Sequence, residues 1–154
     1  MRFFNTAGPV DSRRHYCLPP LERLDLTHVL QLIDQQKYFV LHAPRQTGKT
    51  SVLLALMDHL NKARGQHRCV YVNVEVGQSA REAVAEAMRA ILSELASWAE
   101  TVLNDSLVDD IWAETLAKSG PHSALGQVLS RWSARDPRPL VLLIDEIDAL
   151  VAIP

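Results

Sequence analysis

Apolar residues recur every three or four positions in five stretches of the chain, which is the spacing of one helix face. Asp25 or Thr27 stands where the cap of the first helix is expected, and Gly65 is placed to end the second. Met88 and Trp98 fall on the apolar stripe of the third, so we interpret them as core residues. The pattern predicts helices over 25–33, 52–60, 80–102, 107–118 and 125–132.

Three other apolar stretches have the character of strands. Residues 38–42 and 140–144 are mainly apolar runs, and the second is typical of a strand buried on both faces of a parallel sheet. Residues 68–76 alternate between valines and polar or aromatic residues, which predicts a strand with two different faces. Strands that alternate with helices indicate an α/β domain. We expect an irregular N-terminal arm over 1–24 and one domain over 25–154.

The composition is that of an ordinary globular protein. The 154 residues include 16 Lys and Arg against 18 Asp and Glu, a formal net charge of -2, and 47% are hydrophobic. This balance argues against a protein that binds polyanions over its whole surface. The longest apolar runs, 52–57 and 140–144, are far shorter than the roughly 18 residues of a membrane span. No secretory signal is recognisable at the N-terminus, so we expect a cytoplasmic protein.

Two cysteines offer a weak alternative chemistry. Cys17 and Cys69 each follow a His by two positions, which raises the question of a zinc site. Neither pair has the ligand spacing of a known zinc finger. We therefore expect reduced thiols, one in a loop and one at the start of a strand.

A phosphate-binding motif lies between the strand predicted at 38–42 and the helix that follows it. Residues 43–50 match the pattern G-x-x-x-x-G-K-[ST], except that Ala replaces the first Gly. Backbone N–H groups of the loop and of the helix N-terminus can converge on phosphates, the Lys49 ammonium adds a charge, and the Thr50 hydroxyl can bind Mg²⁺. The candidate phosphate-binding residues are Ala43, Pro44, Arg45, Gln46, Thr47, Gly48, Lys49, Thr50 and Ser51.

The strand predicted at 140–144 ends in two adjacent carboxylates, Asp145 and Glu146. The carboxyl end of a parallel strand is the edge of an open α/β sheet at which ligands bind. Asp145 is the second candidate metal ligand, directly or through water, and Glu146 is the candidate general base for an attacking water. Glu146 and Lys49 are thus the candidate catalytic residues.

Together, Gly48-Lys49-Thr50 and Ile144-Asp145-Glu146 resemble the Walker A and Walker B motifs of P-loop ATPases with a catalytic glutamate, the division that contains the AAA+ and STAND ATPases. The stretch from Phe3 to Thr50 resembles a group of bacterial AAA-like ATP-binding proteins. The resemblance covers nearly the whole chain. It implies a three-layer P-loop NTPase fold with a mostly parallel sheet, and a nucleotide-driven switch that binds ATP and Mg²⁺ and hydrolyses ATP.

Other P-loop classes fit the sequence less well. A GTPase would need a D-x-x-G switch and an N-K-x-D motif, and neither occurs. A superfamily 2 helicase shares D-E-x-D, as in residues 145–148, but Gln46 stands where that class has Gly and no P-T-R-E-L-like segment is present. A nucleic-acid-dependent ATPase of the helicase type and a scaffold that binds ATP without turnover both stay open as alternatives. ATP turnover with and without nucleic acid would separate them.

Two further residues are candidates for supporting roles. Tyr16, just before the first helix, could stack on the adenine, because a P-loop fixes phosphates and leaves the base to flanking segments. Asn73, on the strand at 68–76, is a possible partner for Glu146, because the resemblance implies a polar residue there that restrains the glutamate. Packing of the arm and a solvent-facing edge-strand Asn are the alternative interpretations.

The resemblance also implies parts that these residues do not contain. In that division a further strand, which follows Walker B in the chain, inserts between the P-loop strand and the Walker B strand. The sensor residues, an arginine finger and a helical lid also lie downstream. We therefore expect residues 1–154 to be the N-terminal part of a longer ATPase, and to hydrolyse ATP slowly or not at all alone. A C-terminal effector domain or a second copy of the chain would be its partner.

Overall fold

The computed structural model describes residues 3–4, 13–44, 46–80 and 83–150. The chain divides into two compact units, residues 1–55 and residues 56–154. This division differs in position from the expected boundary between residues 24 and 25, which stays a prediction. None of the helices in the described ranges is long and apolar enough to cross a membrane.

In the described part of the first unit, the α-helix α1 (Leu26–Asp34) is followed by the start of a second, α2 (Lys49–Asp58). As predicted, Asp25 caps α1, because its carboxylate accepts the His28 backbone N–H at 3.1 Å. The apolar face of α1 buries Val29 and Ile33. A short 3₁₀ turn, Pro20–Arg23, precedes α1. Upstream, a single parallel bridge joins Phe3 to His15.

The prediction of a strand at 38–42 is wrong. Residues 37–44 form no regular element, and the side chains of Tyr38 and Val40 are exposed. A strand needs a neighbouring strand to satisfy its N–H and C=O groups, whatever its apolar content. Among the described residues, the sheet consists of two other strands only.

The second unit is an α/β structure built on a two-stranded parallel sheet. β1 (Arg68–Asn73) pairs with β2 (Leu140–Asp145), with Arg68 opposite Leu140 and Asn73 opposite Asp145. The α/β class and the parallel pairing are therefore confirmed. Three helices connect the two strands: α3 (Val84–Leu103), α4 (Leu107–Ser119) and α5 (Pro121–Ser133). These match the three helices that the sequence predicts after residue 80.

The core of this unit lies between β1 and the three helices. Its fully buried side chains include Val70, Leu92, Val108, Val128 and Trp132, and Met88 and Trp98 pack against them as predicted. The turn before β1 is fixed by Asn61, whose amide bonds both the N–H and the C=O of Cys69 at 2.8 Å. A π-helical segment, His59–Arg64, continues α2 and ends at Gly65, which has φ +61, as predicted.

Both strands differ from the prediction in detail. β1 ends at Asn73, three residues early, because the Asn73 side chain accepts the Glu75 N–H at 2.9 Å and a 3₁₀ helix, Val74–Ala80, begins. Residues 68–72 are buried on both faces of β1, so the two faces are not distinguished by exposure. In β2, Ile144 is 40% exposed, because a sheet of two strands covers only part of a strand that was expected to be wholly buried.

Candidate functional site

The predicted phosphate-binding loop leads directly into α2. Lys49 is the first residue of that helix, and Thr50 and Ser51 lie in its first turn. Gln46 and Gly48 both have positive φ, +58 and +81, which turns the chain sharply before the helix. The first turn of a helix has N–H groups without intrahelical acceptors, so this junction suits an anion.

The Lys49 ammonium bends back over its own loop. It donates hydrogen bonds to the carbonyl oxygens of Ala43 at 3.0 Å and Pro44 at 3.2 Å. The Thr47 hydroxyl donates to the same Pro44 oxygen at 2.7 Å. These acceptors are neutral carbonyls, so a phosphate, which carries a full charge, can compete for the ammonium. Arg45, the other basic residue of the motif, lies outside the described residues.

The backbone conformation of Gly48 favours glycine at this position. Its φ of +81 disfavours any residue with a Cβ, and a Cβ there would lie 2.7 Å from Nη1 of Arg23. Arg23, the last residue of the 3₁₀ turn before α1, thus adds a second cation beside the loop. Arg23 is not recognisable from the sequence, because no motif links an arginine 25 positions upstream to a phosphate loop.

In the second unit, Asp145 is the last residue of β2 and is only 5% exposed. Its two oxygens accept different donors. The Tyr71 hydroxyl donates to Oδ2 at 3.2 Å, and the Glu146 backbone N–H donates to Oδ1 at 3.0 Å. A buried carboxylate requires such donors, since transfer out of water without them is costly. Asp145 thus presents oriented carboxylate oxygens, the type of atom that Mg²⁺ prefers as a ligand.

Glu146 has a different environment from its neighbour. Its side chain is exposed, and its backbone has φ +55, a left-handed conformation that is uncommon for a residue other than glycine. Its carbonyl oxygen accepts the Ala149 N–H at 2.9 Å, where a short 3₁₀ turn, Ile147–Leu150, follows. The left-handed backbone places a carboxylate open to solvent directly after a buried one.

The supporting roles of Asn73 and Tyr16 remain predictions. Asn73 lies opposite Asp145 in the sheet, but its side-chain oxygen bonds the Glu75 N–H, so a role in restraining Glu146 would need a different rotamer. Tyr16 is 56% exposed, and its ring lies 5.1 Å from that of Phe4. An exposed aromatic pair can stack on a base.

Tyr71 is likewise not recognisable as a site residue from the sequence. Its contact with Asp145 depends on the register between two strands that are about 70 residues apart in the chain, as the pairing of Tyr71 with Leu143 shows. The strand pattern alone marks Tyr71 only as one of the non-valine positions. Once the parallel register is known, the shared face of Tyr71 and Asp145 follows.

A metal centre of the zinc type is not supported in the described ranges. No cluster there brings together three or more His, Cys, Asp or Glu side chains that could hold a metal ion. Cys17 and Cys69 are both free thiols, the first exposed in a loop and the second buried in β1, as expected. Burial raises the pKa of the Cys69 thiol to about 12, which makes it unreactive.

The chain matches a known protein family over most of its length. The model of one protein family, the AAA ATPase domain, matches residues 21–152, which is most of the chain. No curated protein and no solved structure matches the chain. The matched range includes the phosphate loop at 43–51 and the carboxylates at 145 and 146.

Proposed function

The chain belongs to the AAA ATPase domain family, and we propose on this premise that it binds ATP through the loop at residues 43–51. The resemblance to AAA-like P-loop ATPases is confirmed by the family match. An ATP-binding module is the general function of that family. The particular residues, the metal and the reaction are our proposal.

The loop–helix junction at Gly48 and Lys49 is the observation that carries the proposal. The glycine has the positive φ that lets the chain turn into α2, and the lysine begins the helix. Phosphate oxygens can replace the carbonyls of Ala43 and Pro44 as partners of the ammonium. The bond to a charged phosphate is stronger than a bond to a neutral carbonyl, so nucleotide binding gains free energy from the exchange.

We assign Mg²⁺ binding to Thr50 and Asp145, and activation of water to Glu146. The buried carboxylate of Asp145, which accepts a hydrogen bond on each oxygen, supports the first assignment. The exposed carboxylate of Glu146 supports the second. Magnesium ions neutralise charge on the phosphates during transfer, and the protein supplies position and a base. Tyr16 is the proposed stacking partner of the adenine.

The wider role that we propose is a nucleotide-driven switch. In such a switch, ATP binding and hydrolysis move the protein between two states. A second copy of the chain or a C-terminal effector domain responds to the change. The two-stranded parallel sheet is compatible with the sheet of a three-layer P-loop fold, and we propose that β1 and β2 are its neighbouring strands.

Titration of a fluorescent ATP analogue tests the proposal. Lys49→Ala should cost about 2 to 4 kcal/mol of binding free energy, because charge-assisted bonds to phosphate are lost. Lys37→Ala is the matched control, since Lys37 is an exposed lysine of the same unit outside the loop. Equal affinity of wild type and Lys49→Ala would refute the site, and equal losses in both variants would indicate a nonspecific charge effect.

A further inference from the structure

Tyr71 and Asp145 share one face of the two-stranded sheet. Tyr71 pairs with Leu143 and Asn73 pairs with Asp145, so Asp145 lies one diagonal step from Tyr71. Residues two apart on a strand point to the same face. A tyrosine side chain spans that step, and its hydroxyl reaches Oδ2 of Asp145 at 3.2 Å. A phenylalanine would fill the same space without making this bond.

Donors on both oxygens of Asp145 fix the rotation of its carboxylate. The Tyr71 hydroxyl bonds Oδ2, and the Glu146 N–H bonds Oδ1. Because each oxygen has its own donor, rotation about the Cβ–Cγ bond would break both bonds.

The position of the Tyr71 hydroxyl is itself fixed by packing. The Tyr71 side chain is buried, and its ring meets the Trp98 ring edge to face, with 5.2 Å between centroids and 72° between planes. The Trp98 indole N–H donates to Glu94 at 2.9 Å, four residues earlier in α3. The contacts therefore run from α3 through two rings to the carboxylate.

From these contacts we propose that Tyr71 is a positioning residue for divalent-metal binding by Asp145. The proposal rests on the proposed function, because it presumes the metal role of Asp145. Tyr71 acts through the carboxylate and holds it in one orientation before the metal arrives. A ligand that is already ordered loses less freedom on binding, and partners of metal ligands commonly tune metal affinity for this reason.

Tyr71→Phe tests the inference, with Mn²⁺ in place of Mg²⁺. The affinity for fluorescent ATP is measured in EDTA and in saturating Mn²⁺. The ratio of the two affinities gives the gain in ATP affinity due to metal. The Kd of Mn²⁺ with ATP present is measured by electron paramagnetic resonance. We expect Tyr71→Phe to weaken Mn²⁺ binding about 10-fold and to lower the gain accordingly. The ATP affinity in EDTA should stay unchanged. A purely structural role of Tyr71 would lower the ATP affinity in both conditions.

Two further variants make the result specific. Trp98→Phe keeps an aromatic ring against Tyr71 and leaves the hydroxyl in place, so its Mn²⁺ affinity should match wild type. Asp145→Asn should abolish the gain due to metal, and adding Tyr71→Phe to it should have no further effect. An equal loss from Tyr71→Phe with and without Asp145→Asn would show that the hydroxyl does not act through this carboxylate, and would overturn the inference.

The possible failures are distinguishable. If wild type shows no ATP binding that depends on Lys49, the proposed function fails and the inference fails with it. If Asp145→Asn behaves as expected and Tyr71→Phe matches wild type, only the inference fails. Circular dichroism checks folding. A Tyr71→Phe protein that is unfolded, or that loses ATP affinity equally in EDTA and in Mn²⁺, shows a structural role and also overturns it.

Discussion

The ammonium of Lys49 lies 3.0 Å from the carbonyl oxygen of Ala43, six residues earlier in the same loop. The loop thus supplies partners for its own cation. The bonds are to neutral groups and are only partly buried or exposed, so each contributes little net free energy. The cation also stands at the N-terminus of α2, where the helix dipole disfavours positive charge.

A first prediction follows from these opposing effects. Lys49→Met should change the free energy of unfolding by less than about 1 kcal/mol, because the lost bonds and the relieved dipole repulsion nearly cancel. Urea denaturation without nucleotide, followed by circular dichroism, measures this. A loss above about 2 kcal/mol would mean that Lys49 is a structural residue of the loop, and reduced ATP binding by Lys49 variants would then reflect misfolding.

A second prediction concerns Gly48. Gly48→Ala should lower the free energy of unfolding by about 1 to 2 kcal/mol, because its φ of +81 disfavours a Cβ. The Arg23 guanidinium, 2.7 Å from the new Cβ, ends a flexible side chain and can move away. Adding Arg23→Ala should therefore not restore stability. Full restoration in the double variant would show that the cost is a clash rather than backbone strain.

Gly126 supplies the control for this experiment. It lies within α5, and a Cβ there would have no heavy atom within 4 Å. Gly126→Ala should raise the free energy of unfolding by roughly 0.5 to 1 kcal/mol, since alanine is the better helix former. Opposite signs for the two Gly→Ala substitutions would confirm that position, not residue type, decides the effect.

The sequence predicts the helices of this chain better than its strands. Apolar spacing is a local property, so α1, α3, α4 and α5 begin within a few residues of their predicted starts. A strand depends on a neighbour that local pattern does not reveal. Residues 38–42 have the composition of a strand and do not form one, whereas β2, with a similar composition, pairs with β1.

The candidate site shows the same division between local and distant information. The loop at 43–50 and the pair Asp145-Glu146 are recognisable because each is a short motif. The approach of Arg23 to Gly48 and the hydrogen bond from Tyr71 to Asp145 join residues far apart in the chain. Neither residue carries a local pattern that distinguishes it, so only the fold reveals them.

A third prediction separates binding from hydrolysis at Glu146. Glu146→Gln should keep ATP affinity and slow hydrolysis by about 10²- to 10⁴-fold, the usual contribution of a general base. Gln preserves the length of the side chain and tolerates the same backbone. Hydrolysis is measured in single turnover with protein in excess over ATP, which makes even slow turnover detectable.

Asp148→Asn is the control for Glu146, since Asp148 is an exposed acid two residues later. It should hydrolyse ATP at the wild-type rate. If Glu146→Gln also keeps that rate, the base is assigned to the wrong residue. If wild type binds ATP and none of the three proteins turns it over, the alternative of an ATP-binding scaffold gains support.

A fourth prediction concerns Arg68, which is 3% exposed at the start of β1. Its guanidinium donates to the Trp132 carbonyl at 3.3 Å and lies between Asp105 at 3.8 Å and Asp136 at 3.7 Å. Arg68→Ala should lower the free energy of unfolding by about 3 kcal/mol, because removal of the buried side chain leaves a cavity and the partly exposed carboxylates of Asp105 and Asp136 lose their cation.

Arg135→Ala is the matched control for Arg68, since Arg135 is an exposed arginine of the same unit. Its removal should change the free energy of unfolding by less than about 0.5 kcal/mol. Urea denaturation of both variants measures the difference. A loss below 1 kcal/mol for Arg68→Ala would mean that the guanidinium contributes no more than its desolvation costs, about the balance found for many buried ion pairs.

A fifth prediction concerns the pH dependence of stability at Cys69. Burial raises the pKa of this thiol from its ordinary value of 9.0 to about 12, because the apolar surroundings disfavour the thiolate. The unfolded chain therefore loses this proton above about pH 9, whereas the folded chain keeps it until about pH 12. The contribution to stability is fully present below pH 9 and is lost as the pH rises through this window.

Urea denaturation at pH 8 and pH 10.5 should show a smaller loss of stability for Cys69→Ala than for wild type. Cys17→Ala, which removes an exposed thiol, should lose as much as wild type. Equal losses in all three proteins would show that ionisation of Cys69 is not linked to unfolding.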